Sequence, residues 1–165
     1  MIELRPERPE DLSGIRAVHT AAFETPAEAG LVDALRETDA WIPELSVVAV
    51  ESGRVVAHAL LSRVVLATAG GEVPALAVGP VGVLPALQKQ GYGSAVIRYA
   101  LDRRDDQLVI LLGSPDFYRR FGFVPGASHG ITGPWSSSGD AWQVLPPATG
   151  TPAGEALFPA PWAAV

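Results

Sequence analysis

Apolar and polar positions alternate through Met1-Ile2-Glu3-Leu4-Arg5, the pattern of a short strand. Pro9-Glu10-Asp11 then opens a helix, with Pro near its start and two acids in the first turn. Leu12, Ile15, Val18, His19 and Ala22 follow at helical spacing, and this helix ends near Phe23. Thr25-Pro26 starts a second helix, with Leu31, Ala34 and Leu35 as its apolar stripe, ending near Thr38. β-Branched and apolar runs over 45–50, 55–66 and 73–83 predict three strands. Turns at Glu51-Ser52-Gly53-Arg54 and Ala69-Gly70-Gly71-Glu72 separate them. The middle run is apolar on both faces at first, which places it centrally. Gly79-Pro80 interrupts the last of the three, predicting a bulge or a split in the ladder.

A polar loop over 85–93 feeds a helix over 93–104, with Ala95, Val96, Tyr99 and Ala100 available for burial. Residues 107–112 read as a buried strand. Gly113-Ser114-Pro115-Asp116 caps a short helix over 117–120, and 121–124 returns to strand. Seven of the 15 Pro lie from Pro125 onward. One more strand is expected over 142–145, and 146–165 reads as an irregular Pro-rich tail. This order predicts an α/β (α+β) single domain spanning 1–165, a mixed sheet of about six to seven strands with about four helices. The early hairpins make antiparallel pairs, and the strand–helix–strand over 73–112 makes a parallel pair by a right-handed crossover.

The 165 residues suit one domain whose core needs no disulfide, and the absence of Cys removes thiolate chemistry and zinc–thiolate sites. His19, His58 and His129 stand far apart, so no metal is expected. Twelve basic against 18 acidic residues give a net charge of −6, which argues against nucleic acid as a partner. No apolar run is long enough to span a membrane, and the N-terminus lacks a signal-peptide layout. A cytoplasmic protein, monomer or homodimer, is the expectation.

The informative segment runs from Val81-Gly82-Val83 through Gln88-Lys89-Gln90-Gly91-Tyr92-Gly93-Ser94. A buried strand ends, a loop carries two Gly spaced by one residue, and a helix begins. Such a loop turns several backbone N–H groups toward one point at the positive end of a helix dipole, a ready anion site. Lys89 is the chain's one Lys, and it stands where a phosphate would need a positive charge. A tight strand-to-helix turn is the plain alternative. The P-loop pattern is absent, and Val96 stands where a dinucleotide fingerprint needs its third Gly.

The segment resembles motif A of the GNAT N-acetyltransferases, Q/R-x-x-G-x-G/A, which Gln88 to Gly93 fill. Gly113 through Phe123 resembles the G-[DS]-P-x-[FY]-Y-x-R-F-G-F motif of one branch, and Val56 to Ser62 resembles that branch's third strand. The two motifs lie in the right order on the right elements.

The resemblance implies a sheet splayed between its fourth and fifth strands, acetyl-CoA as acetyl donor, and a primary amine of a small molecule or peptide as acceptor. It implies that the backbone of Val81, Gly82 and Val83 pairs with the pantetheine arm. The amides of Gln88, Lys89, Gln90, Gly91, Tyr92, Gly93 and Ser94 would hold the pyrophosphate. Many family members carry Gly where Lys89 stands. Tyr118 falls where the family places the phenol that protonates the CoA sulfur, the alternative being an aromatic core residue beside Phe117 and Phe121. Ser114 would hydrogen-bond the cosubstrate or cap its helix. The base is open between Glu28 and His58, with Glu24 and a chain of waters as alternatives. Trp135, Trp142 and His129 would line an acceptor pocket or belong to the core. The competing reading is an acyl-CoA-binding sensor that keeps the fold with little or no catalysis.

Overall fold

The computed structural model describes all 165 residues. The chain forms two compact units, Met1–Ser62 with Gly79–Arg104 and Pro161–Val165, and Arg63–Val78 with Asp105–Ala160. Two long strands, β3 (Arg54–Thr68) and β4 (Gly71–Val83), each run from one unit into the other.

In the first unit, β1 (Ile2–Pro6) pairs antiparallel with β2 (Ser46–Glu51), and β2 pairs antiparallel with β3. The β2–β3 turn has Ser52 and Gly53 at φ 52° and 76°, the doubly left-handed geometry that matches the twist of a hairpin. The first half of β3 is buried without interruption from Val55 to Ser62, as its double-sided apolar pattern predicts. Two helices, α1 (Leu12–Ala22) and α2 (Ala27–Arg36), pack against each other. α1 buries Ile15, Val18 and His19, and α2 buries Ala29, Leu31, Val32 and Leu35. Asp11 starts α1: its carboxylate accepts from the Arg8 N–H at 2.7 Å and from Arg5 Nη1 at 2.6 Å. α3 (Tyr92–Leu101) packs on β1 and β2 through Tyr92, Val96, Ile97, Ala100 and Leu101. Gly82 of β4 meets α1 and the next residue, Val83, meets α3, so these helices lie on opposite faces of the strand.

In the second unit, β4 pairs parallel with β5 (Leu108–Leu112), and β5 pairs antiparallel with β8 (Trp142–Leu145). The β4–β5 ladder covers only Ala75 to Ala77, although β4 runs on to Val83 and β5 to Leu112. This early end of the ladder is the splay between the fourth and fifth strands. The Gly79–Pro80 peptide is cis, and β4 runs through it as one strand. β6 (Val124–Pro125) adds to β8. The strand expected over 121–124 is therefore mostly a turn: Arg119–Phe121 is a 3-10 turn closed by Gly122 at φ 98°. That turn lets Phe117, Tyr118, Phe121 and Phe123 share one cluster, which outweighs the strand preference of the same residues. β7 (Ile131–Thr132) pairs with β9 (Gly154–Leu157), and β9 pairs with the end of β3. The segment read as an irregular tail thus contains a strand. No helix is long and apolar enough to cross a membrane.

Candidate functional site

In the first unit, the loop after β4 begins with a 3-10 turn over Pro85–Leu87 and ends at Gly91, the residue that caps α3. Gly91 has φ 93° and ψ 0°, a left-handed geometry that costs a side-chain-bearing residue and is free for Gly. Lys89 has φ 64° and is exposed. That left-handed backbone is the physical reason a Gly suits this position, and Lys89 keeps its charge in solvent at the cost of the strain. The first backbone bond of α3 runs from the Ala95 N–H to the Gly91 carbonyl at 3.0 Å. The helix start therefore faces the loop with the N–H groups of its first turn.

The loop side chains brace the cradle. Gln88 Nε2 donates to the Val83 carbonyl at 3.2 Å, and Gln90 Nε2 to the Ala86 carbonyl at 3.5 Å. Tyr92 is buried, and its hydroxyl donates to Glu51 Oε2 at 2.6 Å, so only its backbone can face an anion. In the sequence Glu51 reads only as the first residue of a hairpin turn, because a charged residue at a strand end looks like ordinary solvent-facing surface. A Cβ on Gly93 would lie 3.4 Å from Val83, so the small residue brings α3 close to β4.

In the second unit, Ser114 caps the short helix α4 (Pro115–Tyr118) through its backbone carbonyl, which accepts from Phe117 at 3.2 Å and Tyr118 at 3.0 Å. Its hydroxyl makes no capping bond. Tyr118 packs among Phe117, Phe121 and Phe123 at ring separations of 4.9, 6.1 and 5.8 Å. Burial pushes its phenol up to about 12, so the hydroxyl stays protonated at neutral pH. The ring lies on Gly113, where a Cβ would stand 2.6 Å from Tyr118 Cε2. Gly113 is itself held by Gln143, a buried residue whose Nε2 donates to its carbonyl at 3.1 Å. Trp142 is buried with its Nε1 donating to the Ile131 carbonyl at 2.9 Å, a core role. Trp135 and His129 are half-buried.

The base candidates sit differently in the first unit. Glu24 is exposed. Glu28, in the first turn of α2, is 3.4 Å from Thr25 Oγ1. His58 is fully buried, and both of its ring nitrogens are engaged: Nδ1 with His19 Nε2 at 2.8 Å and Nε2 with Ser46 Oγ at 2.8 Å. Ser46 donates in turn to the Glu7 carboxylate, which Arg36 holds with two bonds of 3.1 Å. Burial is the main force holding both imidazoles below their ordinary range, His19 at about 4; for His58 the charges of His19 and Arg36 add to it. His19, Ser46 and Glu7 carry no site signal in the sequence, where a His on the buried stripe of a helix looks like core.

A family model described as an acetyltransferase (GNAT) domain matches residues 3–126. The chain is 31% identical over 144 residues to the uncharacterized N-acetyltransferase YhbS of Escherichia coli, which covers 86% of this chain and 84% of that protein. It is 37% identical over 123 residues to the uncharacterized N-acetyltransferase YjhQ of Escherichia coli, covering 71% of this chain and 66% of that protein. A GNAT family acetyltransferase from Brucella melitensis, solved in complex with acetyl-CoA, matches at TM-score 0.80 and 33% identity over 98% of both chains. The structure of YhbS in complex with CoA matches at TM-score 0.88 and 28% identity, over 98% of this chain and 92% of that one. A family match across most of the chain, on a fold that presents the glycine-capped cradle, establishes that the protein belongs to the GNAT family of N-acetyltransferases.

Proposed function

We propose that the protein transfers the acetyl group of acetyl-CoA to a primary amine of a small molecule or peptide by direct attack. The observation that carries this reading is the left-handed Gly91 cap, with exposed Lys89 before it, at the start of α3. Backbone amides from Lys89 to Ser94 suit two adjacent phosphates, the Gln88 N–H being given to the Pro85 carbonyl at 3.4 Å, and Lys89 adds a charge. In this reading the backbone of Val81, Gly82 and Val83 receives the pantetheine arm. The neutral amine attacks the thioester carbonyl, the C–N bond forms, the C–S bond breaks, the nitrogen sheds one proton as the amide forms, and the leaving sulfur takes one. Tyr118 is the proposed donor of that proton, since a phenol kept protonated by burial has one to give. Ser114 is a proposed cosubstrate contact through its uncapped hydroxyl.

Calorimetric titration with acetyl-CoA, with ATP and NAD as controls, tests the cosubstrate. Selective acetyl-CoA binding is expected, lost in Gly91→Trp. Absence of acyl-CoA binding by the folded wild type would sink the proposal. A screen of amines by thiol release then identifies acceptors. Tyr118→Phe should lower kcat on the order of 10²-fold with little change in acetyl-CoA affinity. Unchanged turnover removes Tyr118 from the acid role, and binding with no turnover of any amine favours the sensor reading.

A further inference from the structure

The buried chain His19–His58–Ser46–Glu7 has a direction that its own hydrogen bonds fix. Arg36, paired also with Asp33 at 3.1 Å, keeps the Glu7 carboxylate in place as an acceptor. Ser46 must therefore donate to Glu7, and its oxygen accepts from His58 Nε2–H. His58 Nδ1 is then a bare acceptor, so His19 Nε2–H donates to it. A neutral His19 is left with a lone pair on Nδ1. That atom is buried and has no hydrogen-bond partner. It lies against Gly82, where a Cβ would stand 2.8 Å away, in the middle of the strand segment assigned above to the pantetheine arm. Half-buried Phe23 stacks on the same ring at 5.9 Å.

We propose that this chain is the proton exit for the acceptor amine, with His19 Nδ1 as the atom that takes the proton. The inference rests on the acyl-transfer reading. The ring is fully buried, so an ammonium that displaces half-buried Phe23 to reach it gives one proton to His19 Nδ1. The His19 Nε2 proton passes to His58 Nδ1, the His58 Nε2 proton to Ser46 Oγ, and the Ser46 hydroxyl proton to Glu7. The amine is left neutral with its lone pair free, both imidazoles are neutral with their protons moved to Nδ1, and Glu7 is a carboxylic acid. Glu7 keeps 10% of its side-chain surface exposed, so it returns the proton to solvent. The charged groups facing the chain are Glu7, Arg36 and Asp33, and the two imidazoles face each other. His58 thereby acts through His19, as a positioning and relay residue.

Long-range 1H–15N spectra of the 15N-histidine-labelled full chain at pH 7 test the direction. Neutral Nε2–H tautomers on both His19 and His58 are expected. A His19 Nδ1–H tautomer, or a charged ring, overturns the relay. Kinetics test the role with two probe acceptors, n-butylamine (an ammonium at pH 7) and hydroxylamine (already neutral). Ser46→Ala cuts the path and touches none of the proposed acetyl-CoA contacts. It should lower kcat with n-butylamine on the order of 10²-fold, the loss closing as pH rises, and change hydroxylamine turnover within about twofold. Equal loss with both probes at every pH, or none with n-butylamine, overturns the relay. His58→Gln serves as the second variant. Failure of the folded wild type to bind acetyl-CoA would instead defeat the acyl-transfer reading, whatever the tautomers are.

Discussion

In the role proposed for it, Lys89 would serve the site at a cost to the fold. Its φ of 64° is a conformation that Gly adopts freely and a residue with a Cβ does not. Lys89→Gly removes the strain and the charge together, while Lys89→Ala removes the charge and keeps the strain. Lys89→Gly should raise stability by about 1 kcal/mol, and Lys89→Ala should leave it near wild type. Both should weaken acetyl-CoA binding severalfold and flatten its salt dependence, because both lose the same screened charge. Urea midpoints and titrations at two salt concentrations separate the two effects. An equal stability change in both variants would show that the backbone geometry carries no cost. The sequence placed the charge at the loop. The φ that makes a Gly suit the position needed the structure.

Among the elements, two helical glycines make the same point about packing with opposite signs. Gly14 in α1 faces β3, where an added Cβ would stand 2.9 Å from Val55 Cγ2. Gly30 in α2 is exposed, with nothing within 4 Å of an added Cβ. Gly14→Ala should destabilise by ~1–3 kcal/mol through overpacking. Gly30→Ala should stabilise by ~0.5–1 kcal/mol by restricting the unfolded chain. Thermal melts of the two variants check both signs, and a stabilised Gly14→Ala would mean that α1 can move off the sheet without penalty. Hydrophobic spacing located α1, α2, α3 and β2 to β5 within a few residues. It missed β7 and β9, whose short runs gain their structure only from pairing with each other and with β3.

At the scale of the whole molecule, stability should fall with acid before most carboxylates titrate. His19 and His58 are neutral in the fold because they are buried, whereas in the unfolded chain a His takes up a proton below about 6.5. Their folded values lie below the unfolded one, so their contribution is complete above about pH 6.5 and drains away as pH falls. For His19 the loss runs down to about pH 4 and amounts to ~3 kcal/mol. The urea midpoint should therefore drop steadily from pH 6.5 to 4, and a His19→Asn/His58→Gln double variant should show a shallower slope. A flat profile in the wild type would mean that the rings protonate inside the fold.

The division between what the chain announces and what the fold adds follows the range of the forces involved. The glycine loop, the Tyr118 motif, the order of elements and the family resemblance are local: strand, two spaced glycines and helix start sit within one stretch from Val81 to Ser94. Backbone conformation over a few residues is set largely by those residues, so the sequence alone determined them. The His19–His58–Ser46–Glu7–Arg36 chain draws on α1, β3, β2, the end of β1 and α2. Each member reads alone as a core His, a strand Ser or a surface acid. Only tertiary packing, by removing water and leaving one lone pair unmatched against Gly82, decided that they form a single directed path.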